Sequence, residues 1–430
     1  MTHRFTNWAH THSCRPEERH VPDGEEQLAE IVLSAAARKK RVRVVGAGHS
    51  WSDIACSDEI QISLDGLSRL LSVDKEQRVV TVEGGMRVRE LNQLLAEHGL
   101  ALDTLGSVSE QSVAGVISTG THGSGLGHKI IAANVLGLRL LTADGSFHDA
   151  TEGSDLLLAA RVGLGSLGVI TRVTLRCVDA FNLEECGEPM TFDEALETIP
   201  TLLPEADFLK YWWIPHTDYM QVFRSERSQE PTNLSAFALW FDEAIVNRFV
   251  FASLLWIGAT LSFLVPLINK VVRLAYFKVS RRIGRSDHIL NLAMPPRHQE
   301  MEYSIPVEHA ARALRATREL IESKGLRVNF IVELRFVAAD DSWLSPAYER
   351  DSCYVGAYIA GGPHEQLYLD EFEKLMLSLG GRPHWGKEFK ASAEALSAAY
   401  PKMADFVRLR DELDPQRMFS NAYAERVFGA

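Results

Sequence analysis

An α+β fold is what this sequence predicts, and three observations predict it. Up to about residue 178, short strand-like runs pair as hairpins as well as alternating with helices, which excludes a doubly wound parallel sheet. Two glycine-rich tracts, 44–53 and 114–125, each follow an apolar run in that region. Around 178–188 the glycine punctuation stops and the chain becomes richer in Trp, Phe and Pro. With 430 residues there is material for two or three domains, so a boundary falls there, between 14–185 and 186–395, with 396–430 as a tail.

The elements follow in order. Asp23 and Glu26 read as an N-cap signal, and Leu28, Ile31, Val32 and Ala35 repeat at helical spacing behind it. A strand over 42–45 enters "VVGAGHSWSD". "EIQISL", "RLLSV" and "RVVTVEG" are strands, the last two around the turn "DKEQ". "RVRELNQLLAEHG" is an amphipathic helix closed by Gly99. "VLGLRLLTADGSFHDA" is a hairpin turning at Asp144-Gly145, and "GLGSLGVITRVTLRCV" is a loop and long strand. The region to about 390 is a second α+β unit, followed by a helix, an Asp-Pro turn and a docking tail.

Composition narrows the function classes. A net charge of −12 argues against nucleic acid, because phosphate binding needs a basic face. Five scattered cysteines without a CxxC pair fit reduced thiols in a cytosolic compartment, and neither a disulfide framework nor a metal site. The N-terminal stretch has no apolar core of a signal peptide.

The glycine tracts carry the cofactor reading. A nicotinamide fingerprint needs G-x-G-x-x-G between a strand and a helix, but Trp51 takes the third glycine position and a strand follows. The second tract crowds Gly115, Gly120, Gly123 and Gly125 with Ser118, Thr119, Thr121 and Ser124. Bare N–H groups and hydroxyls suit a pyrophosphate, although a surface loop has the same composition. Two such tracts in one domain favour a large dinucleotide held between subdomains, with FAD the obvious candidate. His49 and His122 both sit in these tracts, and residue type alone does not choose between them.

"RVRVVGAGHSWSDIACSD", "VAGVISTGTHGSG", "GSLGVITRVTL", "GRPHWGK" and "LDPxxMFxN" together resemble the sugar-lactone oxidases of the vanillyl-alcohol oxidase (PCMH) family. The similarity runs from "NWAHTHSC" to "NAYAERVF", nearly the whole chain. The resemblance implies a two-subdomain FAD-binding domain, an α+β cap over the flavin ring, and a C-terminal segment returning to the flavin domain. It implies FAD covalently tethered through His49, with His122 a loop residue near the pyrophosphate. The cofactor-binding positions it carries over are Gly46, Ala47, Gly48, Ser50, Gly106, Ser107, Ser112, Gly115, Thr119, Gly120, His122, Gly123, Gly168, Val169 and Ile170.

The expected reaction is oxidation of an aldono-1,4-lactone of the L-gulono type at a secondary alcohol, with O2 giving H2O2 and an ascorbate-type product. In "VELRFV" Glu333 and Arg335 are two apart on a strand and share a face, as in a solvated ion pair. In the family this Glu-x-Arg holds substrate, and Lys387 matches a lysine reaching the substrate and flavin edge. His384 is a neighbouring candidate in the proton chemistry. A small residue beside the flavin governs oxygen access in relatives, and Gly106 aligns with it. The alternatives are a D-arabinono-lactone or alditol oxidase, a dehydrogenase with another acceptor, or a membrane-associated flavin binder without turnover.

One segment needs its own account. Residues 249–269 carry no charge over a bilayer-spanning length. A single pass would put the glycine tracts and the Glu-x-Arg strand on opposite sides of the membrane, which one active site forbids. A buried cap helix, a hairpin bent near Pro266 and an interfacial patch remain. The apolar residues surround the helix, which favours a monotopic protein held at a membrane surface and helped by Lys270, Arg273, Lys278, Arg281, Arg282 and Arg285. The alternative location is the cytoplasm.

Overall fold

The computed structural model describes residues 4–235, 237, 240, 242–292 and 295–429. Three sheets organise the site. In the first, β1 (Glu18–His20) and β2 (Val42–Val45) both pair in parallel with β3 (Ile60–Ser63). The second is antiparallel, in the order β7-β6-β8-β5-β4, from β4 (Leu70–Asp74), β5 (Val79–Glu83), β6 (Val135–Leu141), β7 (Phe147–Thr151) and β8 (Val169–Arg176).

Helices cover these sheets as the periodicity predicts. Helix α1 (Glu25–Ala37) buries Leu28, Val32 and Ala35, but Gly24 is its N-cap and Asp23 lies one residue outside. Helix α2 (Val88–Glu97) buries Leu91 and Leu95 and is followed by Gly99 at φ 73°. The second glycine tract is not all loop: Val113–Ser118 forms α3, whose N-cap Ser112 accepts from the Gly115 N–H. Spacing of glycines hid a short helix.

The third sheet begins at Asn182 and is wholly antiparallel. Its strands are β9 (Asn182–Thr191), β10 (Phe208–Trp213), β11 (Tyr219–Ser228), β12 (Ser280–Arg285), β13 (Gln299–Pro306), β14 (Val332–Val337), β15 (Ser352–Ile359) and β16 (Arg382–Pro383). Their order is β12-β9-β11-β10-β14-β15-β13-β16. Alternation sorts the two faces. Val332, Leu334 and Phe336 enter the core with Leu209, Tyr211, Leu314 and Phe372, and Glu333 and Arg335 face the other way, toward Ser107 of the first domain. Gly125 N–H donates to the Phe336 carbonyl at 2.6 Å, so the second tract is hydrogen-bonded directly to β14.

The C-terminal segment packs back on the first domain. Val42 N–H donates to the Met418 carbonyl at 2.8 Å, and Asn421 Nδ2 donates to the Ile54 and Cys56 carbonyls. Arg426 pairs with Asp53 at 2.6 Å.

The apolar run breaks into two helices, α4 (Ala252–Thr260) and α5 (Val265–Tyr276). The break lies at 261–264, and Pro266 sits harmlessly in the first turn of α5. The longer helical stretches 244–260 and 262–276 meet at 117°, and no single helix among the described residues is long and apolar enough to cross a membrane.

Candidate functional site

A large cleft, partly open to solvent, lies between the first two sheets and their loops. Gly46, Ala47, Gly48, His49, Ser50, Ser112, Gly115, Thr119, Gly168, Val169 and Ile170 line it. Residue choice explains the shape. A Cβ at Gly46 would lie 2.2 Å from Ser112 Oγ, so only glycine lets the two tracts approach; Gly48, at φ 70°, has Phe5 3.2 Å from its Cβ position.

Among the described residues no carboxylate lines the cavity. Serine and threonine hydroxyls and glycine backbone face it, a donor set that fits the anionic pyrophosphate and amide edges of FAD. Arg43, missed in the sequence, is the buried staple of its wall. The guanidinium donates to the carbonyls of Ile54, Leu164, Gly165 and Phe419, and burial lowers its pKa to about 10, still cationic. His49 stacks on Trp8 with ring centroids 6.0 Å apart, and burial lowers its pKa to about 4. Its imidazole is therefore neutral and nucleophilic at physiological pH.

Five expected positions lie elsewhere. Gly120, at φ 70°, is a turn against Val162 and Pro346. Gly106 packs on Thr121: an added Cβ would sit 2.7 Å from the Thr121 methyl, so the space its missing side chain leaves is already filled. Ser107 and Gly123 line a second cavity shared with the third sheet. His122 does not line the large cavity; it turns toward the third sheet.

That sheet face is a buried polar cluster that only the strand register assembles. Trp212, Glu333, Gly356 and Glu302 stand in one row across β10, β14, β15 and β13, and Lys210, Arg335, Tyr354 and Ser304 in the next. Glu333 accepts from Trp212 Nε1 at 2.6 Å, Tyr358 OH at 2.8 Å and Arg335 Nη2 at 3.0 Å. Arg335 also donates to Ser107 Oγ at 2.6 Å, tying the cap to the first domain. Burial would lower the Arg335 pKa, but Glu333, Tyr358 and Glu302 raise it, so the cation is firmly held. Its Nε has no partner.

Lys387 is pinned twice: its Nζ lies 2.5 Å from Glu300 Oε2 and 3.9 Å from the Trp51 ring centre. Burial works to raise the Glu300 pKa, but Lys387 and His298 draw it below the usual carboxylate range. Glu300 Oε1 is buried without a partner. Glu302 faces His122, whose Nδ1–H donates to the Gly123 carbonyl while Nε2 lies 3.4 Å from Glu302 Oε1. Burial again opposes ionisation of Glu302, and His122 and Lys387 reverse it.

Glu302, His122 and His384 have ligand atoms within 4.8 Å of one another. His384 Nδ1 accepts the Gly386 N–H, which leaves the proton on Nε2. Burial lowers the His384 pKa to about 3, so it stays neutral and acts as a packed hydrogen-bonding residue.

Sequence reasoning found Glu333, Arg335 and Lys387 and missed Trp212, Tyr358, Glu300 and Glu302. Acid-x-acid in "QEMEYSIP" was the available signal, since Glu300 and Glu302 share a face of a strand.

The comparisons agree with this architecture. The sequence profile for D-arabinono-1,4-lactone oxidase matches residues 173–427, and one for an FAD binding domain matches 17–151. L-gulonolactone oxidase of Scyliorhinus torazame is 37% identical, over 100% of this chain and 99% of that protein. L-gulono-1,4-lactone dehydrogenase of Mycobacterium tuberculosis is 36% identical over 100% of both. D-arabinono-1,4-lactone oxidase of Candida glabrata is 27% identical, over 90% of this chain and 85% of that protein. Among solved structures, a solvent-stable cholesterol oxidase superposes with a TM-score of 0.83 at 16% identity, covering 99% of this chain and 97% of that one. The cholesterol oxidase from B. sterolicum superposes at 0.82 with 15% identity, covering 100% and 97%. At such identity those two show the fold alone. With a glycine cradle suited to FAD, a Glu-x-Arg cap strand and full-length relatives, the chain belongs to the D-arabinono-1,4-lactone oxidase family of FAD-dependent aldonolactone oxidoreductases.

Proposed function

We propose that this enzyme oxidises an aldono-1,4-lactone of the L-gulono type at its C2 hydroxyl, passing the electrons to O2. One observation carries the reading: the buried Glu333–Arg335 pair faces the first domain and is bonded to it through Ser107. FAD, when bound, supplies the hydride acceptor. The protein must orient the C–H bond and manage the hydroxyl proton. Arg335 offers an unused N–H to the reacting oxygen, and Lys387 adds a second positive charge. Glu333 orients a neighbouring hydroxyl. Glu300 Oε1, ionised and unpartnered, accepts the proton.

His49 supports covalent attachment, being neutral, stacked and on the wall of the cavity. Acid precipitation tests this: flavin should stay with the wild-type polypeptide and leave the His49→Ala variant, whereas His122→Ala should keep it. Free flavin from the wild type would reject the tether. The function is tested by anaerobic mixing of the holoenzyme with L-gulono-1,4-lactone, which should bleach the flavin, and air should restore it with H2O2 released. Bleaching without recovery in air would instead make the protein a dehydrogenase.

The helical hairpin α4–α5 supports a membrane-surface location. Trp256, Phe263, Leu267 and Leu274 are 69%, 69%, 60% and 70% exposed, an apolar patch uncommon on a protein bathed only by water. The basic cluster contributes less than its sequence implied. Arg281 pairs with Glu184 and Glu230, Arg282 with Glu185 and Arg285 with Asp287, and Arg273 lies over Tyr219. Insertion of apolar side chains, with both domains on one face, is the mode we propose.

A further inference from the structure

A second, smaller cleft, open to solvent, lies beside Arg335 on the side away from Lys387. Ser107 and Ser124 come to it from the first domain, and Glu185, Lys210, Phe223 and Ser225 from the cap. We propose that this cavity is the subsite for the exocyclic glycol arm of a six-carbon aldono-1,4-lactone, with Lys210 and Glu185 reading its hydroxyls. The proposal rests on the lactone reading above and names the residues that would select among lactones.

Register gives the reach. Lys210 stands directly opposite Arg335 on the neighbouring strand, so their backbones are ~4.8 Å apart and their side chains leave the same face. With the C2 hydroxyl held at Arg335, the arm at C4 lies across the lactone ring, about one strand spacing away. Chemistry gives the match. Lys210 Nζ spends one donor on Glu185 Oε2 at 2.9 Å, while Arg282 holds Glu185 Oε1 at 3.2 Å. An ammonium with further N–H groups beside a carboxylate with further lone pairs meets both the acceptors and the donors of a vicinal diol. The Phe223 ring, 4.7 Å from Nζ, supplies an apolar floor for the arm's C–H bonds.

A five-carbon lactone carries only one carbon on this arm. It stops one C–C bond short and leaves the buried pair without its partner. A site built to hydrogen-bond a hydroxyl discriminates strongly against the analogue that lacks it.

The test uses the holoenzyme and two probes, L-gulono-1,4-lactone and D-arabinono-1,4-lactone. Anaerobic stopped-flow of flavin absorbance separates the Kd of each lactone from its limiting rate of reduction. Wild type should bind the six-carbon lactone about tenfold or more tighter. Lys210→Met should weaken that binding about tenfold, leave the reduction rate nearly unchanged, and alter the five-carbon Kd less than about twofold. Lys210→Met/Glu185→Gln removes both charges, leaves no carboxylate unpaired, and should erase the discrimination. Equal Kd values for the two lactones in wild type, or equal losses for both in the variants, would overturn the subsite while leaving lactone oxidation intact. Flavin-loaded protein that neither lactone bleaches would instead overturn the lactone reading, and the subsite with it.

Discussion

Glu333 is held by an indole N–H, a phenol and a guanidinium, and Glu300 by an ammonium on one oxygen, with His298 Nε2 3.6 Å from that oxygen and the other oxygen unpartnered. The two carboxylates should therefore fail differently. Glu333→Gln leaves Arg335 as a buried cation without its anion, which should lower stability by about 3–5 kcal/mol and raise the lactone Kd. Glu300→Gln keeps the shape but leaves Lys387 without its anion, so besides lowering stability it should lower the flavin reduction rate about 100-fold or more through loss of the proton acceptor. Thermal melts and anaerobic reduction measure both. A Glu300→Gln variant that reduces at the wild-type rate would remove that residue from the proton step. Glu333 and Arg335 were named through the family resemblance, because two-apart spacing on one strand is equally that of a solvated ion pair. Trp212, Tyr358 and Glu302 come from three other strands, and no local pattern states which strands pair or in what register.

At the scale of elements, the FAD-domain strands and hairpins were readable from alternation and turn residues. The short helix after Ser112 was not, because glycine is a poor helix former and tertiary contacts override that preference. The apolar run of twenty-one uncharged residues left a single helix and a hairpin bent near Pro266 both open, and the chain breaks at 261–264, just before that proline. Leu255, Val265 and Gly258 turn inward, and the outward residues form the patch. Replacing Trp256, Phe263, Leu267 and Leu274 with serine should cut partition onto liposomes at least about tenfold, because each buried apolar side chain is worth ~1.5–3 kcal/mol. Flavin content and lactone oxidation should persist. Flotation that is unchanged by the substitutions would move the membrane contact elsewhere.

For the molecule as a whole, the cap is fastened to the flavin domain by a charged clasp. His128 donates from Nδ1 to Asp103 at 2.9 Å and from Nε2 to Asp207 at 3.0 Å, with Arg227 across both carboxylates and the Phe208 ring stacked on the imidazole. Burial opposes its charge, but the two aspartates raise its pKa to about 9 from 6.5. A raised pKa means the stabilisation is complete below pH 6.5 and is lost as pH climbs through 9. The upper bound is about 3 kcal/mol. Melting temperature should fall over that window in wild type, and much less in His128→Gln. A flat wild-type profile would show that the clasp carries no titrating charge.

The return of the C-terminal segment has a consequence in time. Loop 50–57, which leads from His49, is fastened by Asn421 and by Arg426, which lies 373 positions beyond its partner Asp53. During synthesis its early fasteners, Asn7, Thr11 and Arg43, leave the ribosome before the loop, and Asn421 and Arg426 only at the end. A ribosome stalled anywhere in the cap therefore yields a chain whose flavin loop is held from one side alone.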